Sequence, residues 1–599
     1  MPKTLKPKHQ FGLAELIIVI GIPVNSLLVL EDFYDTFNVP KLLFLLFASM
    51  FLLYFLLKPK NIKIFNNMRV AVVLNLIFLS IHFALSAISP DVYRAFIGDY
   101  GRNNGFLEYL CFSIFFLATI AFIQARNVKN FFISIYVTSM IVSLYAILQT
   151  VEVDFINYTE AKQVQVTTFG NVNFTSSFIG LTSIVTALLF SNTAKKRVKI
   201  FYIFSYIIQI SSLLLIDSKQ GLIVTFISLF LYIGILLRYS RKKISFMWFT
   251  LGAFTFCLSF LALFQIGPLA KLIYEPSIGY RGDYFSAAWR MFKSHPVSGV
   301  GIESFSDYYR QYIDLNAISG QGSTVNSHYA HNIFLQFLST GGILLGVTYF
   351  MLICYVTFRV FLLLKKSARI DEVYAAGLAS IWFSYLIQLQ ISIEHLGIGL
   401  IGWIIAGLIV SLSTKNSNFM NNDIVNSKLI RMPKKIIFIL LPLSALLIFG
   451  STRIAMAEIS FNNSMNDGGN IQVQEQMLLK ATQLNPLQQH YLTRGAVLLI
   501  NGGLLKSAQF LNNQALLRNP RDLDALTVSI FLAEQSQDYE AIISFRSRLV
   551  FLDPFNFDNY LKLGEVYTKI NDKEEVKKLI NRLENRGGFE ETVASLKLL

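Results

Sequence analysis

The chain has 599 residues, of which 54% are hydrophobic and 15% are charged, and its mean hydropathy is +0.51. A soluble protein of this size does not need so much apolar sequence, so the composition excludes an ordinary soluble enzyme. The formal net charge of +15 would by itself allow a nucleic-acid-binding protein. The basic residues, however, cluster in short segments between apolar runs, which is the signature of membrane orientation, so we expect no nucleic-acid partner.

Apolar runs of about 20 residues recur along most of the chain, which is the length that a helix needs to cross a membrane. They predict an all-α, polytopic membrane bundle. The first run follows Lys3, Lys6 and Lys8 and lacks a small-residue cleavage site, so it predicts a retained anchor. The thirteen predicted spans are 12–30, 40–57, 69–89, 105–124, 130–150, 174–192, 199–216, 221–237, 245–266, 341–363, 373–393, 396–413 and 436–454.

The segments between these spans alternate in charge. Strongly basic segments, such as 195–197 and 241–243, all fall on one side of a thirteen-span topology. The positive-inside rule therefore predicts a cytoplasmic N-terminus, with a long loop over 267–331 and the C-terminal region on the outer side. The other outer segments are 31–35, 90–104, 151–173, 217–220 and 394–395.

From about residue 456 the sequence becomes polar and repeats. The dipeptides Asn485-Pro486, Asn519-Pro520 and Asp553-Pro554 recur every 34 residues, and each follows an amphipathic helical segment. A 34-residue period of helix pairs punctuated by proline is typical of tetratricopeptide repeats. Such repeats stack into a surface used mostly for binding, so this region predicts a protein partner. The predicted domains are a membrane domain over 1–455 and an outer tetratricopeptide-like domain over 456–599.

Three short outer segments carry residues suited to an anionic or sugar ligand. Arg102 lies in the glycine-rich segment 98–105, where glycines let the backbone approach a ligand while the guanidinium pairs with anionic oxygen. Asn171 and Asn173 can hydrogen-bond sugar hydroxyls, although helix capping by Asn173 accounts for the pattern equally well. Lys219 can bind a phosphate or simply snorkel at the membrane edge.

The long loop combines cations, aromatic rings and histidines. Arg281, Arg290 and Lys293 supply positive charge, and six Tyr and Trp side chains supply flat faces for sugar rings. His328 and His331 have near-neutral reference pKa values, so either can transfer a proton at working pH. Their spacing would place both on one helix face if this region is helical. A loop that only caps the bundle remains the alternative.

Two histidines at this spacing can also bind a metal ion, but no acidic or cysteine partner lies close to them in sequence. Cys111, Cys257 and Cys354 fall within predicted spans and form no spaced cluster, so they indicate neither a disulfide framework nor a metal site. We therefore predict no metal and no cofactor.

Together these segments place cations, amides, rings and histidines at one membrane surface. This combination suits a pyrophosphate-linked glycan on a lipid. Cations neutralise the pyrophosphate leaving group, a base removes a proton from the incoming hydroxyl, and the lipid tail stays in the bilayer.

The order of motifs resembles the O-antigen ligase and O-antigen polymerase superfamily, which includes bacterial protein O-oligosaccharyltransferases. The resemblance covers about residues 10–455. Its most specific motifs are the last two below, whereas the first three are weak individually. The motifs are Gly98…Arg102…Gly105, Gly170-Asn171-Val-Asn173, Ser218-Lys219, Arg281…Trp289…His295-Pro296…Gly299-Val-Gly301…Phe305, and Ala330-His331-Asn332…Leu335-Gln336…Gly341-Gly342-Ile343.

The resemblance implies a metal-independent, inverting glycan transfer from undecaprenyl pyrophosphate by a GT-C-like helical fold in the bacterial inner membrane, with the outer side in the periplasm. It implies that Arg281 holds the pyrophosphate and that His331 is the activating base or a residue that orients the acceptor. Lys219 stands where the family usually has Arg, which keeps the charge but loses bidentate geometry. Further candidates for substrate binding are Arg102, Asn171 and Asn173, followed by Arg290, Glu303 and His328.

Three acceptors remain open: lipid A-core in a ligase, another lipid-linked glycan in an O-antigen or capsule polymerase, and a protein hydroxyl in an O-oligosaccharyltransferase. The outer repeats favour the ligase or the protein transferase, because they can recruit an acceptor or partner. A transporter or flippase would show repeated halves and polar residues at mid-membrane, and His82 is the main ionisable residue expected inside a span. A scaffold that acts through the repeats alone would not need the Arg and His residues of the long loop.

Overall fold

The computed structural model describes residues 12–57, 68–123, 127–157, 165–263, 276–315, 317–318, 322, 325–365, 371–413, 436–466 and 470–599. These residues form an all-α fold, as predicted. The helices are α1 (Leu13–Leu27), α2 (Asn38–Leu56), α3 (Arg69–Ala87), α4 (Val92–Ile97), α5 (Phe106–Phe122), α6 (Val128–Thr150), α7 (Val172–Ser191), α8 (Lys196–Leu215), α9 (Lys219–Ser240), α10 (Lys242–Leu263), α11 (Pro276–Ser294), α12 (Phe305–Tyr312), α13 (Ile333–Lys365), α14 (Glu372–Ile391), α15 (Leu396–Leu412), α16 (Ile436–Asn466), α17 (Ile471–Leu484), α18 (Gln489–Asn501), α19 (Leu505–Arg518), α20 (Leu523–Gln535), α21 (Tyr539–Leu552), α22 (Phe557–Lys569), α23 (Lys573–Arg586) and α24 (Glu590–Leu598).

Among the described residues, eight helices are long and apolar enough to cross a membrane. They are α2, α3, α6, α7, α8, α9, α13 and the Leu441–Asn466 part of α16, and the shorter apolar helices α1, α5 and α15 accompany them. The chain is thus a multi-pass membrane protein. Each of the thirteen predicted spans coincides with a helix, but the total of thirteen spans and their sidedness remain predictions.

The bundle packs around α15, every residue of which is buried. Its glycines lie against bulky rings of neighbouring helices: an added Cβ on Gly399 would lie 2.5 Å from Phe112, and one on Gly402 would lie 2.4 Å from Tyr385. Glycines at such positions let membrane helices approach one another closely. The apolar sequence of α15 therefore forms the core of the bundle.

More ionisable side chains lie inside the helices than expected. The prediction that His82 is the main ionisable residue inside a span was therefore wrong. Several of them find polar partners on other segments of the chain, which sequence alone cannot show. The Glu15 carboxylate accepts two hydrogen bonds from Asn127 at 2.8 Å, and Lys41 Nζ donates to three backbone carbonyl oxygens at 2.7 to 2.9 Å. The buried ionisable residues besides His82 include Glu15, Lys41, Glu108 and Arg359.

One end of the bundle gathers the polar segments that connect its helices, and we call it the polar end. It comprises the described parts of 28–37, 88–105, 151–171, 216–218, 276–332 and 392–395. Long-range hydrogen bonds join these segments. Asn104 Nδ2 donates to the carbonyl oxygen of Glu394 at 2.8 Å, and Ser89 Oγ donates to that of Ile302 at 3.0 Å. The segments predicted to share one side of the membrane thus meet in space.

The two most specific motifs of the sequence pack against each other at a break in α13. Gly342 has φ 64° and ψ −165°, a conformation suited to glycine. Segment 296–301 docks into the break, where the N–H of Val300 donates to the carbonyl oxygen of Ser339 at 2.9 Å. A Cβ on Gly342 would lie 2.2 Å from the carbonyl oxygen of Val297. The glycines therefore serve a close backbone contact.

The described part of the long loop contains the two helices α11 and α12. Residues 325–332 form no helix. The expectation that His328 and His331 share a helix face is therefore wrong. The hydrogen bonds described below hold this segment in a turn, and its two histidines point to different partners.

Residues 456–599, which we call the tail, are helical as predicted. Asn485, Asn519 and Asp553 each follow directly on a helix, at the ends of α17, α19 and α21. The helix α16 runs without interruption from Ile436 to Asn466, so the proposed domain boundary at 455/456 lies inside one helix. The assignment of the tail to tetratricopeptide repeats remains a prediction.

The three equivalent residues of the 34-residue period also attach the tail to the polar end. Their partners lie on α4 and α12. The pairs are Asn485 with the Tyr93 hydroxyl at 2.8 Å, Asn519 with the Asp307 carboxylate at 3.0 Å, and Asp553 with the Arg310 guanidinium at 2.8 Å. The repeated position that ends each helix is therefore also the position that docks the tail.

Candidate active site

His331 lies in a tight turn directly before α13. Its φ is +53°, a left-handed conformation that few non-glycine residues adopt. Neighbouring side chains hold the turn. Asn332 Oδ1 accepts hydrogen bonds from two backbone N–H groups of the first turn of α13, both at 3.1 Å, and Gln336 Oε1 accepts one from the N–H of Ala330 at 2.9 Å. Strained backbone conformations that neighbouring groups hold in place are common at functional sites.

The His331 imidazole is half-buried and stacks on the Tyr284 ring, with centroids 5.2 Å apart. Burial, together with the positive charges of Arg281 and Arg102, lowers the pKa of His331 to about 4. The ring is therefore neutral at physiological pH, and both guanidinium groups lie within electrostatic reach of it. The charges of two other predicted site residues, Arg102 and Arg281, thus act on His331.

Arg102 is positioned by the glycine-rich turn around it. Gly98 and Gly101 have φ of +103° and +76°, and a Cβ on Gly98 would lie 2.2 Å from the backbone nitrogen of Asn104. The guanidinium carbon of Arg102 lies 5.2 Å from the Phe174 ring centroid, a cation–π contact. The glycine-rich segment therefore directs the Arg102 guanidinium toward the first turn of α7.

Glu303 is buried and has a φ of +58°. Its Oε2 accepts hydrogen bonds from the Tyr329 hydroxyl at 2.7 Å and from the N–H of Asp99 at 3.2 Å. Burial raises the pKa of Glu303 to about 7. This carboxyl therefore joins the glycine-rich segment to the His331 segment and exchanges its proton near neutral pH.

His328 pairs with Asp99 at 2.6 Å. The hydrogen bond and the charge of Asp99 raise the pKa of His328. Burial alone would raise the pKa of Asp99, but its pairing with His328 and the charge of Arg94 outweigh burial and lower it. This ion pair therefore joins the glycine-rich segment to the long loop.

Asn171, and not Asn173, caps a helix, so the expected capping role was assigned to the wrong residue. Asn171 Oδ1 accepts a hydrogen bond from the N–H of Asn173 at 2.8 Å at the start of α7. The Asn173 side chain instead accepts from the Ser218 hydroxyl at 2.8 Å. Lys219, which is exposed, follows Ser218 at the start of α9, so the second and third predicted segments are neighbours.

Arg290 serves the long loop itself. Its guanidinium donates to the carbonyl oxygen of Tyr312 at 3.0 Å and pairs with Asp314 at 2.6 Å. The structure therefore places Arg290 in a contact between α11 and the segment after α12.

Two cavities border these residues. A small one of ≈20 Å³ is lined by His331, Glu303, Tyr329 and Glu394, among others. A large one of ≈740 Å³ lies between the polar end and the tail, and we call it the interdomain cavity. Three predicted residues line the large cavity, namely Arg102, Asn171 and His328. Arg281, Arg290, Asn173 and Lys219 line neither of these two cavities.

Sequence reasoning missed the partners that complete the site. Tyr284 was counted only among the aromatic residues of the long loop, Tyr329 was not singled out, and Asp99 was only a neighbour of Arg102. Glu394 lies in the four-residue connection between α14 and α15, is buried, and accepts a hydrogen bond from the Tyr385 hydroxyl at 2.6 Å. Burial raises its pKa to about 7. In the sequence, the only signal for Glu394 as a site residue is a carboxylate beside a membrane helix.

The search of curated proteins found no match to this chain. Of the predicted site residues, those within residues 204–350 are Lys219, Arg281, Arg290, Glu303, His328 and His331, whereas Arg102, Asn171 and Asn173 lie before this segment. Residues 204–350 of this multi-pass membrane protein match the family model described as O-antigen ligase.

Proposed function

We propose that this protein is a membrane glycosyltransferase that moves an oligosaccharide or polysaccharide from undecaprenyl pyrophosphate to an acceptor hydroxyl. The observation that carries the proposal is the electrostatic influence of Arg281 and Arg102 on His331, at the polar end of a membrane bundle. Two of these residues lie in the segment that matches the O-antigen ligase family. We place the reaction at the periplasmic face of a bacterial inner membrane.

The two guanidinium groups form the donor site of this proposal. Both Arg281 and Arg102 depress the pKa of His331, so their positive potentials overlap at the imidazole. A pyrophosphate bound there would gain charge-assisted hydrogen bonds, which are the strongest kind that arginine makes with phosphate. As the glycosidic bond breaks, the same charges would stabilise the leaving pyrophosphate.

His331 is the base of this proposal. The acceptor oxygen attacks the anomeric carbon from the face opposite the leaving group, the bond from that carbon to the pyrophosphate oxygen breaks, and the hydroxyl proton moves to the neutral imidazole. Bound pyrophosphate would offset the charges of Arg281 and Arg102, and the pKa of His331 would then rise from about 4. Donor binding would thus strengthen the base at the moment of use.

Glu303 is a positioning residue in this mechanism. Its carboxyl holds Tyr329, two residues before His331, and also the backbone of Asp99, three residues before Arg102. It therefore fixes the base relative to one of the two cations. The protein's own residues supply the cations and the base, so we propose a transfer that does not require a metal.

The test is a transfer assay with purified full-length protein and the undecaprenyl-pyrophosphate glycan of the source cells. Lipid A-core, a second lipid-linked glycan and hydroxyl-bearing extracytoplasmic proteins are offered separately as acceptors. Glycan on the first indicates a ligase, a longer lipid-linked chain indicates a polymerase, and glycosylated protein indicates an O-oligosaccharyltransferase. We expect Arg281→Ala to abolish transfer while the protein stays folded. Wild-type protein that transfers to none of the three acceptors would overturn the proposal.

A further inference from the structure

The interdomain cavity has walls from two regions of the chain. The polar end contributes Arg102, Asn171 and His328, while the tail contributes residues from the first helix of successive pairs, α18 and α20. Its volume of ≈740 Å³ lies within the usual range of ligand sites, about 300–1,000 Å³. The repeat surface that commonly binds a partner therefore faces the polar end.

The tail side of the cavity is polar and accessible. Arg494, Asp524 and Thr527 line it and are exposed. Amide side chains, including Asn519 and Asn559, also line it. Planar amide, carboxylate and guanidinium groups match the paired donors and acceptors of vicinal hydroxyls, because each presents two polar atoms side by side.

Many of the charges that line the cavity are already compensated by the protein. Arg94 pairs with Asp307, and His328 pairs with Asp99 at 2.6 Å. The ion pair between Arg310 and Asp553, described above, lies at the same wall. A strongly acidic or basic peptide would have to compete with these pairs, whereas a ligand rich in hydroxyl groups would not. The electrostatics therefore favour a carbohydrate.

Arg102 belongs both to the cavity and to the proposed reaction site. This residue lines the cavity, and its charge also reaches His331. A chain of sugars whose first residue sits between Arg102 and His331 would therefore extend into the space under the tail. The location of the cavity therefore favours the same ligand as its polar lining does, namely a carbohydrate.

We propose that the interdomain cavity binds several sugar residues of the transferred oligosaccharide, so that the tail is a wall of the glycan site and not only a platform for a protein partner. This inference rests on the proposed function. It adds Arg494, Asp524 and Thr527 as glycan-binding residues.

The experiment measures binding to purified full-length protein. The first probe is the oligosaccharide released by mild acid from the undecaprenyl-pyrophosphate pool of the source cells, and the second is a tryptic digest of extracytoplasmic proteins. We compare wild type, His331→Ala and a cavity variant carrying Arg494→Ala, Asp524→Ala and Thr527→Ala. We expect wild type and His331→Ala to bind the oligosaccharide alike. The cavity variant should bind it at least about tenfold more weakly, because it loses charged hydrogen-bonding groups.

A matched control carries Lys506→Ala, Glu540→Ala and Gln509→Ala. These residues are exposed on α19 and α21, and Glu540 lies in the first turn of its helix as Asp524 does. Equal thermal unfolding of both variants, with normal binding by the control, assigns a loss to the cavity. Oligosaccharide binding that is absent in wild type, unchanged in the cavity variant, or displaced by the peptides would overturn the inference. Failure of the proposed function would appear separately, as transfer that survives His331→Ala.

Discussion

The His331 turn and the interdomain cavity are neighbours at the polar end, but they are built in opposite ways. The turn is small, strained and held by side chains of its own segment, such as Asn332 and Gln336. The cavity is wide, lined in part by exposed side chains, and closed only because a second region of the chain docks over it. The contrast separates two tasks: chemistry needs fixed geometry, whereas recognition of a long polar substrate needs room.

Substitution of His331 is the strongest test of this division. We expect His331→Ala and His331→Asn each to lower kcat by about 10²–10⁴-fold, the usual contribution of a general base. Asparagine tolerates the left-handed conformation, so it removes the imidazole while keeping the turn. Transfer rates of purified protein measure the effect. His295→Asn, at an exposed histidine of the same loop, should leave kcat unchanged, and a similar loss there would contradict a specific role.

Loss of the ion pair between Arg310 and Asp553 tests whether the cavity depends on tail docking. The side chains of Arg310 and Asp553 are 3% and 6% exposed, so Arg310→Ala leaves a buried carboxylate unpaired and should destabilise the docked state by about 3–5 kcal/mol. Thermal unfolding and protease cleavage between α16 and the later tail helices report the change. Arg546→Ala, which removes a more exposed pair with Glu534, should cost about 0–1 kcal/mol. Equal effects would show that the pair does not dock the tail.

The pH dependence of kcat/KM gives a smaller but more specific signal. Neutral His331 is the base, so activity should fall only as the pH drops through its pKa of about 4. Arg102→Gln removes one of the charges that depress this pKa, so the acidic limb of the pH profile should move upward, toward the ordinary value near 6.5. A limb that stays in place would exclude His331 as the titrating group.

Much of the fold could be predicted because its signals are local. Apolar length placed the membrane helices, and the 34-residue spacing placed Asn485, Asn519 and Asp553 at helix ends. The glycines around Arg102 were expected to let the backbone approach a ligand, and Gly342 was only part of a motif; the structure shows close backbone contacts at Gly98 and at Gly342.

The unpredicted part depends on contacts between residues far apart in the chain. Nothing in the segment around Asp99 shows that it will meet His328, and nothing near Glu303 shows that its carboxylate will bind the backbone of Asp99. The docking role of Asn485 was hidden for the same reason, since its partner Tyr93 lies 392 residues earlier in the chain. Asn171 and not Asn173 caps α7 because this helix starts two residues earlier than predicted. Hydrophobic periodicity does not locate a helix end that accurately.

The break in α13 also has a consequence for genetics. Gly299 and Gly342 sit where segment 296–301 meets the broken helix, and a Cβ at either position would overlap backbone atoms. A screen for loss-of-function alleles should therefore recover substitutions at these glycines as readily as at the cations. Such alleles should differ from Arg281 alleles in one respect: immunoblots should show little protein, because the defect lies in assembly and not in turnover.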